Sequence, residues 1–133
     1  MFPYHKMGDL TKNFSKSEFD CNCGCEMPED ILDNVEVHAQ NLQTIRDFLN
    51  EPIKINSAYR CPSYNSKIGG ASKSEHKNGN ASDLSVNSRS PGELADIIEG
   101  LIRIGAIEQG GLGRYNTFTH YDRRGRKARW DNT

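Results

Sequence analysis

A histidine and an aspartate seven residues apart, with a turn between them, constrain this chain more than any other feature. The segment is Ser74-Glu75-His76-Lys77-Asn78-Gly79-Asn80-Ala81-Ser82-Asp83. On a helix that spacing puts both residues on one face, two turns apart. Asn78, Gly79 and Asn80 in the middle favour a turn instead. The segment therefore reads as a loop carrying His76, a turn at 78–80, and a strand over Ala81–Val86. In that strand Ala81, Asp83 and Ser85 share one face, and Ser82, Leu84 and Val86 share the other. A turn followed by a strand can bring an imidazole and a carboxylate to one point, and both are zinc ligand types. The alternative is a turn with a solvated Asp and a surface His.

The length, 133 residues, suits one domain over 1–133. A formal net charge of −1 supplies no global field toward nucleic acid or membrane. No apolar run reaches the length of a membrane span. Met1-Phe2-Pro3-Tyr4-His5-Lys6 lacks the apolar core of a secretory signal. The expectation is a monomer that acts in the cytoplasm or is released by another route.

Three cysteines fall at every second residue, Cys21, Cys23 and Cys25, and the fourth is Cys61. In an extended segment the first three point to one face. They can form a small metal site with Cys61, one disulfide with two free thiols, or four thiols.

Pro28–Leu49 reads as a helix, with Pro28 in its first turn and Glu29 and Asp30 at the positive end of its dipole. Ile31, Val35, His38, Leu42, Ile45 and Leu49 make one buried stripe, so His38 reads as a core histidine. Ile53–Ser57 alternates like a strand, and Ser63–Ser72 reads as a loop. Ser90-Pro91-Gly92-Glu93 opens a second helix with a capping box, and Gly105 ends it. Gly110–Tyr115 and Thr117–Asp122 have strand character. His120 and Asp122, two apart, project from one face. The basic run Arg123–Arg129 reads as a solvated tail, with polyanion binding the minor alternative because aromatic residues are not interleaved with it.

A hydrolytic zinc site needs three protein ligands and an open position, and the metal acidifies water and polarises a carbonyl. His76, Asp83 and His120 supply two imidazoles and a carboxylate. Arg60, just past the Ile53–Ser57 strand, can hold a substrate carboxylate or an oxyanion by paired hydrogen bonds, or be an ordinary surface cation.

Ser74, His76, Gly79, Ala81 and Asp83 together resemble the S-x-H-x-x-G-x-A-x-D pattern of the zinc D-alanyl-D-alanine peptidases. That group includes carboxypeptidases, dipeptidases and phage endolysins acting on peptidoglycan stems, and hedgehog signalling domains share its fold. Ile55–Arg60 looks like the family's strand leading to a substrate-binding arginine. Tyr64-Asn65 with Gly69-Gly70-Ala71 matches the loop before the motif. Gly110–Tyr115 and Phe118–Arg124 look like its closing strands, and Phe14–Phe19 reads like the start of compact members.

The resemblance implies a hedgehog-like α+β fold, with two helices on a small, mainly antiparallel sheet and the zinc cleft on the sheet's open side. It implies Zn2+ at His76, Asp83 and His120, with Arg60, Ser74 and Tyr115 against a peptidoglycan stem peptide. An endolysin-like setting, with release to the cell wall, follows by the same analogy. Several relatives carry an acidic base three residues before the last zinc histidine, where this chain has Thr117. The base then has to come from elsewhere: Asp122 first, sharing a strand face with His120, or Glu108, just before the glycine-rich strand. Asp122 can instead accept a hydrogen bond from a zinc histidine or pair with Arg124. The alternatives to an enzyme are a non-catalytic zinc-containing binding module, or a virion component attached through its basic tail.

Overall fold

The structure is a computed structural model and describes residues 8–133. The segment Met1–Lys6, read above for a leader, lies outside the described residues. The apolar stripe produces the first helix, α1, Glu29–Leu49, which buries Val35, His38, Ala39, Leu42, Ile45 and Leu49. Pro28 is its extended N-cap and not a first-turn residue, while Glu29 and Asp30 occupy that turn. A short second helix, α2, spans Pro62–Lys67, and a third, α3, spans Pro91–Arg103. The capping box at α3 forms as expected. Ser90 Oγ accepts from the Glu93 N–H at 3.1 Å, and the Glu93 carboxylate accepts from the Ser90 N–H at 3.0 Å.

Among the described residues five strands form one sheet: β1 Lys54–Ser57, β2 Ala81–Ser85, β3 Gly111–Arg114, β4 Thr119–Asp122 and β5 Ala128–Asp131. Their order is β1-β2-β4-β3-β5. Among the described residues only the β3–β5 pair is parallel, so the fold is α+β with a mainly antiparallel sheet.

The helices cover one face of the sheet, because one side chain in two along β2 and β4 points that way. His38 on α1 is fully buried, hydrogen-bonds Ser82 Oγ at 2.9 Å and stacks on Tyr121 at 5.6 Å between ring centroids. Thr119 Oγ1 donates to the Pro91 carbonyl of α3 at 2.7 Å. Leu84 and Leu112 complete this inner layer. The alternate side chains, Asp83, His120 and Asp122, point to the other face. Among the described residues no helix is long and apolar enough to cross a membrane.

Two expectations need correction. Ser63–Ser72 is not all loop: Cys61 caps α2 and Pro62 takes its first position, so the described residues hold a third, short α-helix beside the two expected. The basic run is not a solvated tail, because acidic and carbonyl acceptors lie under it. Arg129 clamps both oxygens of Glu99 at 2.8 Å. Arg123 reaches Asn80 Oδ1, the Asn34 carbonyl and Glu108. Arg124 pairs with Asp122. Of the basic residues in this run Arg126 and Lys127 are exposed, and the chain then continues into β5.

Candidate metal centre

His76 is positioned by a single 3-10 turn, Glu75–Asn78. Ser74 caps the turn, its Oγ accepting from the His76 N–H at 3.2 Å. Gly79 closes it at φ 75°, a left-handed conformation that favours glycine. A Cβ there would also press on Ile31 and Val35 at 3.0 Å. The chain is thus turned directly into β2. Asp83 and His120 are cross-strand partners in the β2–β4 register, which sets their side chains next to each other on the open face.

Three donor atoms meet there. His76 Nε2 lies 3.3 Å from Asp83 Oδ1, and His120 Nδ1 lies 3.1 Å from the same oxygen. All three residues are buried. Tetrahedral ligands at ordinary zinc–nitrogen and zinc–oxygen lengths are about 3.3 Å apart, so the donor set fits zinc.

The far edge of each imidazole fixes which nitrogen is free. His76 Nδ1 faces the Ala58 carbonyl at 2.7 Å, and His120 Nε2 faces Asp122 Oδ2 at 2.7 Å. A carbonyl and a carboxylate only accept, so those nitrogens carry the hydrogens. The lone pairs of the neutral rings are left at His76 Nε2 and His120 Nδ1, the two atoms that converge on Asp83. Burial disfavours the Asp83 carboxylate, but hydrogen bonds from His120 and His76, made when the facing nitrogens carry a proton, outweigh it and hold its pKa below the ordinary range. Burial likewise disfavours a charged His120, yet hydrogen bonds to Asp122 and Asp83 prevail and raise its pKa. A cation between these groups is therefore favoured, whether a proton or a metal.

Arg60 lines the same cleft. Its guanidinium donates to Asp83 Oδ2 at 3.3 Å, Ser57 Oγ at 3.3 Å and Asn65 Oδ1 at 3.4 Å. It thereby steadies the oxygen of Asp83 that the histidines do not share. The cleft has a volume of 690 Å³, and Ser74 and Tyr115 are on its wall with Phe118, Trp130, Arg124 and Arg126. Tyr115 stacks on Phe118 at 4.3 Å and accepts a hydrogen bond from Trp130 Nε1 at 2.9 Å. The Trp130 ring lies 5.0 Å from His120 and beneath the Arg124 guanidinium. Tyr115 was expected against the substrate, but Trp130 was missed in the sequence; its signal was that it is the single tryptophan, two residues into a β-compatible Ala-Arg-Trp stretch.

The glycine-dense strand β3 makes room for the wall and for Asp122. A Cβ on Gly113 would collide with the Trp130 indole, and one on Gly111 with the Asp122 carboxylate.

The expected bases are placed differently. Asp122 is fully buried on the Nε2 edge of His120, away from the converging donors. It accepts from the Gly111 N–H at 2.8 Å, and from Arg124 Nε at 2.9 Å and Nη2 at 2.7 Å. That geometry is the one expected of an orienting carboxylate and not of a base open to the cleft. Glu108 is held by Asn41 and Arg123 and does not line the cleft. Thr117 sits in an exposed bend before β4. Glu75 is the carboxylate on the cleft wall that lies outside the donor set.

A second convergence joins Cys21, Cys23, Cys25 and Cys61, whose sulfurs lie within 4.8 Å of one another. Comparison with protein-family models matches residues 12–122 to the family described as Peptidase M15. No curated protein matches the chain.

Proposed function

The chain belongs to the peptidase M15 family of zinc-dependent metallopeptidases, and on that premise we propose that it hydrolyses a peptide bond in peptidoglycan stem peptides. The observation that carries the reading is the convergence of His76 Nε2, Asp83 Oδ1 and His120 Nδ1, with both imidazoles locked in the ligating tautomer. These three would hold the metal, which when bound acts as a Lewis acid and acidifies water.

The chain's own residues do the rest. Asp122 and the Ala58 carbonyl hold the two rings in place. Arg60 fixes Asp83 and presents its guanidinium to the cleft, where it can meet a substrate carboxylate or a developing oxyanion. The cleft wall is cationic: Arg60, Lys73, Arg124 and Arg126 face it against Glu75 and Asp83. A short peptide bearing carboxylates, as stem peptides do, is the matching substrate. Tyr115, Phe118 and Trp130 offer apolar faces to its small side chains, and Ser74 supports the loop bearing His76. Glu75 is the residue left to take the proton of the attacking water. We read the whole chain as one such domain, working as a monomer in an endolysin-like setting.

The test is digestion of purified peptidoglycan, with the fragments identified by mass spectrometry. New amines that disappear with a chelator and return with zinc are expected, and the fragments separate carboxypeptidase from endopeptidase cleavage. Binding to peptidoglycan with no amine released would overturn the hydrolytic reading and leave a zinc-containing binding module.

A further inference from the structure

Four cysteines take no part in the cleft. Residues 20–28 form no helix or strand, and they bring Cys21, Cys23 and Cys25 together after the 3-10 turn Lys16–Phe19. Cys61, the N-cap of α2, comes from the other side. Cys21 Sγ lies 3.2 Å from Cys23 Sγ and 3.9 Å from Cys61 Sγ, and Cys23 Sγ lies 3.6 Å from Cys61 Sγ. With Cys25 included, the four sulfurs stay within 4.8 Å of one another, and all four are free thiols.

Four thiolates around one zinc at about 2.3 Å sit about 3.8 Å from each other, close to the 3.6 and 3.9 Å that separate Cys61 Sγ from Cys23 Sγ and Cys21 Sγ. A disulfide joins sulfurs in pairs and gives no reason for four to converge. An all-sulfur tetrahedral set selects zinc or iron among common metals. The Cys61 N–H also points at Cys21 Sγ, at 3.5 Å, as an outer partner of a ligating sulfur does. Cys21 is buried and Cys23 exposed, so one flank of the group is closed by protein and the other opens to solvent.

We propose that Cys21, Cys23, Cys25 and Cys61 bind a structural zinc ion, separate from the metal of the cleft. The site ties the irregular 20–28 segment to the residue that follows Arg60. Two backbone hydrogen bonds frame the same junction. The Tyr59 N–H donates to the Phe19 carbonyl at 3.0 Å, and the Arg60 N–H donates to the His76 carbonyl at 3.1 Å. A zinc on Cys61 therefore holds the backbone from which the Arg60 side chain reaches into the cleft. The thiolate site itself is independent of the peptidase reading.

The experiment is zinc analysis of protein purified under reducing conditions without chelator, followed by titration of the native chain with an organomercurial in the presence of a zinc indicator. Two zinc ions per chain are expected, one of them released in step with modification of the four thiols. Substitution with cobalt should give intense thiolate-to-cobalt charge-transfer bands, which a site of two imidazoles and a carboxylate cannot produce. Cys23→Ser, at the exposed ligand, should lose those bands and one metal ion while the cleft metal stays. The proposal is overturned if the thiols react without metal release, if intact mass shows the loss of hydrogens to disulfides, if the cobalt protein lacks the bands, or if the metal is iron. Should Cys23→Ser fail to fold, the titration of the unaltered chain decides.

Discussion

Asp122 and Asp83 hold opposite edges of the same imidazole: Asp122 Oδ2 meets His120 Nε2 at 2.7 Å, and Asp83 Oδ1 meets His120 Nδ1 at 3.1 Å. The ring cannot turn without losing one of them. Asp122 is fixed in turn by Arg124 and the Gly111 N–H, so orientation passes from β3 and the basic run to the cleft donors.

Asp122→Asn tests that arrangement. As an orienting residue, Asp122 sets the tautomer and basicity of His120, so its loss should weaken zinc binding by about 10–100-fold. Activity should fall with it and recover with excess zinc. As a base, it would leave zinc affinity intact and lower kcat alone. Zinc affinity measured by competition against a chelator, beside kcat, separates the outcomes. Unchanged affinity with a lost kcat would restore Asp122 as the base.

Much of this was legible in the sequence, for stated reasons. Asn78–Asn80 demanded a turn, the period of two placed Asp83 outward and Ser82 inward, and helical spacing put His38 in the core. Spacing also put His120 and Asp122 on one strand face. It could not say which edge of the His120 ring Asp122 would meet, since that depends on a side-chain torsion and not on strand period. The basic run concealed β5 and Trp130 because its charges suggested solvent. Their partners, Glu99 and Asp122, lie far off in sequence or behind a glycine strand whose purpose shows only when Trp130 is stacked over it.

Glu75→Gln addresses the proton. Glu75 lines the cleft beside His76 and is outside the donor set. The amide keeps the shape and removes the acceptor, so kcat should drop by about 10²-fold or more with zinc content unchanged. Normal turnover in this variant would remove Glu75 from proton transfer.

Arg60→Lys keeps the charge and loses the planar fork. A lysine cannot reach Ser57, Asn65 and Asp83 together as the guanidinium does. A fall in kcat/KM of at least about tenfold is expected, given the strength of charge-assisted pairs. Unchanged kcat/KM on stem peptides would leave Arg60 without a role in substrate binding.

His38 sets a limit on acid stability. Its pKa is held well below the ordinary 6.5, first by burial and then by Arg123. Arg123 Nε donates to His38 Nδ1 at 3.3 Å, so Nε2 carries the hydrogen and donates to Ser82 Oγ. A second proton would be forced against the guanidinium. The folded state therefore binds fewer protons here than the unfolded chain once the pH falls below 6.5. Above that pH both states are neutral at this residue and it contributes no slope. Below it, His38 should cost up to about 1.4 kcal/mol per pH unit, until the folded-state pKa is reached. His38→Gln can keep a hydrogen bond to Ser82 without titrating. Urea unfolding at a series of pH values should show the unaltered chain losing stability faster than the variant between pH 6.5 and the onset of acid unfolding. Parallel curves for the two proteins would mean that His38 protonates in the folded state as easily as in the unfolded one.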